Sequence, residues 1–213
     1  MSEINKLKLH RMNFFTDAVL AIIMTLLVIE LHLPALNESD SAKEMLEKLR
    51  EMIPHFGSFL LCFLIMGNAW LGLNTFYSSM DRFDATVAVL VVMMMLPLSL
   101  MPFAATLIGS YFYNPMSYLF LGAISLVGSV FQTTAVFYIS KKKLLSKEVD
   151  LEFFEKKIVR TIWVFPAITI LIIALAFVSP LASFLVFMLM QIISIIGTRM
   201  FKMLKSEHKH EPK

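Results

Sequence analysis

Long apolar runs, separated by short polar or proline-bearing breaks, occupy most of this 213-residue chain. A membrane-spanning helix needs about 20 mostly apolar residues. The pattern predicts six such helices, at Asn13–Leu33, Pro54–Tyr77, Ala85–Gly109, Pro115–Ile139, Thr161–Val178 and Leu181–Phe201. The breaks carry their own chemistry. Leu33-Pro34 and Asn37-Glu38-Ser39-Asp40 end the first helix, Gly109 to Pro115 forms an uncharged turn, and Ser179-Pro180 separates the last two. Pro97 and Pro102 must kink the third helix. Between the first two spans, Ser41–Met52 has the spacing of an amphipathic helix, with Ala42, Met45, Leu46, Leu49 and Met52 on one side. Such a helix belongs at the outer surface or against the helix ends. The expected fold is all-α, a polytopic single unit over 1–213. It has a short polar N-terminus at 1–10, a polar loop at 141–160 and a polar tail at 202–213.

Composition narrows the class and charge sets an orientation. Hydrophobic residues make up 58% of the chain, charged residues 16%, and the mean hydropathy is +0.74; soluble domains carry about 25% charged residues. No Asp, Glu, Lys or Arg occurs between Ala85 and Ser140, room for two spans. Basic residues concentrate on cytoplasmic segments of membrane proteins. With the N-terminus in the cytoplasm, the inner segments collect Lys6, Lys8, Arg11 and Arg82. They also collect the lysines and Arg160 of the 141–160 loop, and Arg199, Lys202, Lys205, Lys209 and Lys213 at the end. The outer side keeps Lys43, Lys48 and Arg50. Both termini are therefore expected in the cytoplasm. The basic runs read as topology signals and anionic-lipid contacts, with no separate support for nucleic-acid binding. Met1 to His10 lack a signal-peptide pattern, so the first span is expected to remain in the mature protein. The lone Cys62 cannot form an internal disulfide and reads as a packing residue.

The first helix carries the candidate chemistry. Arg11 stands at its entrance and Asp17 inside it, where an acidic side chain costs roughly 2.5–3.5 kcal/mol at mid-membrane. At 100° per residue, Ile22, Leu26 and Ile29 fall on one narrow stripe, with Ala18 on the same side and Thr25 flanking it. Asp17 lies about 140° from Ile22. Two readings stand side by side. The stripe is ordinary helix packing with Asp17 paired for stability, or copies of the helix surround an axis and the stripe forms stacked apolar rings. Those rings would lie ~6 Å and then ~4.5 Å apart and would constrict or dewet a conduction path.

Three stretches carry a family resemblance. Arg11-x-x-x-Phe15-Thr16-Asp17 resembles the Arg-x-x-x-Phe-Ser-Asp signature of the transmembrane protein 175 family, with Thr for Ser, and Ala21 to Glu30 continues in that style. Phe63–Tyr77 resembles the family's second helix. Ser99–Tyr111 resembles its third-helix Ser-Leu-x-Pro-Phe-x-x-x-Leu-x-Gly-x-Tyr. The last three helices carry no matching motif. The resemblance implies a potassium-permeable channel without the Thr-Val-Gly-Tyr-Gly filter, and no such run occurs here. It further implies the prokaryotic single-repeat form in a cell membrane, a homotetramer with the first helix lining the pore and no cofactor. Carried over residue by residue, Ile22, Leu26 and Ile29 become the constriction and Thr25 the hydroxyl linked to cation preference. Arg11, Phe15, Thr16 and Asp17 join Trp70 and Asn74 of the second helix in a supporting network. Where the family often has His near Trp70, this chain has Leu73 and Asn74; Asn hydrogen-bonds but does not titrate near neutral pH, so pH sensitivity tied to that His is not carried over. Glu30 has two open readings, an outer attractor of cations or an interfacial residue.

Other chemistry finds little support. His10, His32 and His55 lie at predicted membrane ends, and His208 and His210 in a polar tail, so no metal site is expected. Intramembrane hydrolysis needs paired acidic, Ser/His or His/Glu residues, and no phosphate-binding glycine loop occurs; an enzyme is not expected. The alternatives to a channel are a secondary transporter, for which inverted repeats and broken helices are the usual mark, and a non-conducting membrane scaffold.

Overall fold

Inside a bilayer every backbone polar group must be satisfied within the protein, which favours helices. The computed structural model describes residues 3–32, 34, 40–146 and 163–207, with backbone alone at 4, 6 and 198–207. The described residues are helical apart from turns and one antiparallel bridge between Met80 and Leu145. The helices are α1 (Glu3–Ile29), α2 (Ala42–Glu51), α3 (Ile53–Ser78), α4 (Ala85–Leu98), α5 (Met101–Ser110), α6 (Pro115–Lys141), α7 (Phe165–Ala176) and α8 (Pro180–Glu207).

Among the described residues, five stretches are long and apolar enough to cross a membrane: Leu7–Ile29, Ile53–Ser78, Ala85–Ser110, Pro115–Lys141 and Pro180–Gly197. The expected span over Thr161–Val178 is represented by α7, 12 residues long. At 1.5 Å per residue that is roughly 18 Å, short of a ~30 Å hydrocarbon core; residues 161 and 162 lie outside the described ones, as do 147–160 of the polar loop and His208 and His210 of the tail. Several boundaries move. No Pro or Gly interrupts the chain before Pro34, and Glu3 complements the N-terminal dipole, so α1 takes in most of the expected polar N-terminus. It ends at Ile29, short of Leu33, in a turn with Leu31 N–H on the Val28 carbonyl, because Pro34 has no N–H for the Glu30 carbonyl four residues back and its ring would clash with it. Residues 202–207, expected within the polar tail, continue α8.

The third span breaks where its prolines require. Pro97 has no N–H to give, Ser99 ends α4 with its hydroxyl on the Leu96 carbonyl, and Pro102 sits in the first turn of α5. The break lets α4 pack on α6 while α5 packs on α3 and α1. The core lies along that second contact: Leu61, Cys62 and Met66 of α3 meet Met101, Ala104, Ala105 and Ile108 of α5, with Leu20, Ile23 and Leu27 of α1 behind them. Small side chains on α5 permit the close approach.

Two caps fix the ends. Ser41 and Glu44 form a capping box on α2, the Ser41 N–H donating to Glu44 at 2.7 Å. Ser41, through its backbone N–H and then its hydroxyl, holds the Glu44 carboxyl below its ordinary value. That contribution is present above the ordinary carboxylate range and lost as pH falls through the lowered value. Asp84 caps α4 through the Val87 N–H and accepts from the Tyr138 hydroxyl at 2.7 Å, tying α4 to α6. Beside it the 79–81 and 144–146 segments pair, Asp81 N–H on Leu144 O and Ser146 N–H on Ser79 O.

Gly109 marks a helix contact in which backbone itself stands close. A Cβ there would stand 2.6 Å from His55 Cδ2 and 3.1 Å from its Cα, so backbone as well as side chain blocks it. Gly109→Ala is expected to cost about 1–3 kcal/mol by overpacking, read as a lowered thermal midpoint of the detergent-solubilised protein. Gly128→Ala, whose Cβ would meet only Pro97 Cγ at 3.7 Å, is the control and should leave it unchanged.

Candidate pore-lining face and its support

α1 buries one stripe only. Thr16, Leu20, Ile23 and Leu27, spaced at three and four residues, turn against α3 and α5 and are at most 4% exposed. The opposite side carries Ala18, Ile22, Thr25, Leu26 and Ile29. Ile22 is 59% exposed, Leu26 41% and Ile29 67%, and Ala18 and Thr25 are exposed too. Among the described residues nothing covers this face. The Thr25 hydroxyl donates to the Ile22 carbonyl at 2.8 Å, so its oxygen lone pairs are free to accept from outside the helix.

The polar groups of α1 reach other helices. The Trp70 indole N–H donates to Asp17 Oδ1 at 2.9 Å, joining α1 to α3 across 53 residues of sequence. Thr16, buried on the core side, donates to the Asn13 carbonyl at 2.9 Å. Phe15 is exposed near the foot of the open face. Arg11 is exposed, about 120° around the helix from Asp17, and the two form no ion pair. Asn74 is partly buried on α3 and makes no hydrogen bond to Asp17. The geometry thus brings Trp70 to Asp17 and leaves Arg11 and Asn74 apart from that bond.

At the other end of α1, Glu30 is partly buried and its Oε2 accepts from the Thr106 hydroxyl of α5 at 2.5 Å. The sequence reading of Glu30 named no such partner. The available signal was a lone Thr in an uncharged helix, and it did not say which neighbour it faced. Two other polar contacts were likewise unforeseen: Asn68 donating to Gln191 Oε1 at 2.8 Å between α3 and α8, and Tyr138 on Asp84. Among the described residues no group of three or more His, Cys, Asp or Glu gathers as a metal site.

Comparison with known proteins places this arrangement. Residues 11–102 match the family model described as "Endosomal/lysosomal potassium channel TMEM175". The "Endosomal/lysosomal proton channel TMEM175" of Danio rerio is 24% identical over 143 residues, 67% of this chain. A potassium channel of Chryseobacterium sp. (strain P1-3) is 28% identical over 116 residues, 54% of this chain and 57% of its own length. The crystal structure of a lysosomal potassium-selective channel TMEM175 homolog from Chamaesiphon minutus superposes with a TM-score of 0.76 at 18% identity, covering 90% of this chain and 98% of that one. Residues 11–102 are thus similar to the TMEM175 family, and the chain shares its fold with a TMEM175 homolog.

The match to the TMEM175 model holds α1 from Arg11 onward, the Trp70–Asp17 bond and the helix break, and it ends at Pro102, before Thr106. The fold likeness extends beyond it over α6 to α8. The protein aligns with 27% of the length of the Danio rerio relative. These TMEM175 relatives are named as ion channels rather than enzymes, potassium being a transported ion and not a cofactor, and the chain is a multi-pass membrane protein. Trp70→Phe should weaken the α1–α3 contact by about 1.5–3 kcal/mol, the value of a hydrogen bond to a charged group. The check is a fall in thermal midpoint, with Trp163→Phe, 71% exposed, as the neutral control.

Proposed function

We propose that this chain is one subunit of a potassium-permeable cation channel, a homotetramer in which α1 lines the central pore. The observation that carries the reading is the uncovered stripe of Ile22, Leu26 and Ile29, opposite the buried side of α1, in a fold shared with a potassium-selective channel homolog. Four copies of the stripe would form stacked apolar rings that shed water and act as gate and constriction. Thr25 would offer hydroxyl oxygens between the rings in partial exchange for lost hydration, and Ala18 would line the wider stretch below. Asp17 and Trp70 hold the helix through their bond, with Thr16 packed on the core side, and Arg11, Phe15 and Asn74 flank this support without meeting the ion. Glu30 braces the far end through Thr106 and adds negative charge near the mouth, which raises local cation concentration. The subunit is a single unit of six spans over 1–213 with both termini cytoplasmic, in a prokaryotic plasma membrane.

Single-channel recording of the purified protein under opposed potassium and sodium gradients tests this. Unitary steps carried by potassium are expected. Saturating, turnover-limited flux would point to a transporter, and absence of both to a scaffold. Because the Danio rerio relative is named a proton channel, a proton gradient forms a further arm. Ile22→Asn should wet the ring and change unitary conductance; unchanged current would remove α1 from the pore wall. Asp17→Asn should lower current in step with tetramer yield, and normal yield with lost selectivity would contradict a supporting role.

A further inference from the structure

The turn that ends α6 puts a lysine where the backbone favours glycine. Lys143 N–H donates to the Ser140 carbonyl and Leu144 N–H to the Ile139 carbonyl, the paired bonds of a left-handed helix C-cap, with Leu144 packed on the core. Lys143 takes the left-handed position at φ 53°, the only positive φ among the described residues. A side chain there carries a steric cost that glycine avoids. Beyond the turn, the chain pairs with the connection between α3 and α4. Asp81 N–H meets Leu144 O, Ser146 N–H meets Ser79 O, and Met80 bridges Leu145. Continued by one step past Asp81 and Leu144, that register sets Arg82 level with Lys143. Like charges directly opposed across paired segments are unfavourable. Both side chains are exposed and neither forms an ion pair. Of the two carboxylates nearby, Asp84 is engaged by the α4 cap and Tyr138, and Asp81 pairs with neither cation.

We propose that Arg82 and Lys143 together hold the phosphate of an anionic phospholipid headgroup. A lysine at a glycine position and two cations in register are each unfavourable alone, and one bound anion offsets both. The planar fork of arginine suits two phosphate oxygens, and lysine adds a point charge. Depth selects a lipid over a free anion. Candidate spans end at Ser78 and Lys141 and another begins at Ala85, so both cations lie at headgroup level. Phe137, one turn into the membrane from Lys141, and Val89, one turn in from Ala85, are exposed and offer apolar surface to the acyl chains. The site requires only that the chain spans a bilayer, whether or not it conducts.

The test measures the thermal midpoint of the full-length protein in an uncharged detergent, with phosphatidylglycerol, phosphatidylcholine or inorganic phosphate added. Phosphatidylglycerol should raise the midpoint by a few degrees, and the other two should not. Arg82→Gln and Lys143→Gln should each remove most of that rise. Neither should lower the lipid-free midpoint, because each relieves the opposed charges. Lys143→Gly should raise the lipid-free midpoint and still lose the lipid effect, a split that a purely structural lysine would not give. Lys141→Gln, which neutralises the same basic run outside the register, should keep the rise. An equal loss in Lys141→Gln overturns the site in favour of diffuse attraction to the run. Full retention of the rise in both Arg82→Gln and Lys143→Gln overturns it outright. A rise with inorganic phosphate equal to that with phosphatidylglycerol overturns the lipid as its occupant.

Discussion

A helix has one side opposite any buried stripe, and the burial of Thr16, Leu20, Ile23 and Leu27 decides what the rest of α1 can do. Once these four positions turn to α3 and α5, Ile22, Leu26 and Ile29 must face away from the other described helices. Each large aliphatic side chain buried in that contact contributes about 1.5–3 kcal/mol. Rotating the helix to hide the open stripe would expose the core one, so the open face is a consequence of core packing and not a separate feature.

The two acids of α1 add direction to that packing. Asp17 and Glu30 lie 13 residues apart, roughly 20 Å along the axis, and each carboxylate accepts from a neutral donor on another helix, Trp70 on α3 and Thr106 on α5. Hydrogen bonds to an ionised group are about twice as strong as neutral ones. The helix is thus fastened near both ends of its apolar stretch, and the stripe between the fastenings carries no charge. Polar groups that would be costly in an apolar setting serve as attachment points away from the centre.

The break in the third span makes the second fastening possible. Pro97 and Pro102 interrupt the backbone ladder at Ser99 and Leu100, which sends α4 towards α6 and brings α5 beside α3 and α1. Ala104, Ala105 and Gly109 then allow the close approach that seats Thr106 against Glu30.

Much of this was readable from residue order. Apolar run length gives the long helices, Pro97 and Pro102 the break, Ser41 and Glu44 the start of α2, and the 100° step the grouping of Ile22, Leu26 and Ile29, because these are local properties of the backbone and its period. The α1 boundaries shifted because nothing stops a helix before Glu3, while Pro34 acts several residues upstream. Which side of α1 is buried, and whether Asp17 meets Arg11, Asn74 or Trp70, needed the tertiary structure. A wheel gives angles within one helix and says nothing of the neighbour across the gap. Trp70 lies 53 residues from Asp17, Thr106 lies 76 from Glu30 and Gln191 lies 123 from Asn68. Such pairs follow from the packing of whole helices, and only the folded chain brings them within a hydrogen bond.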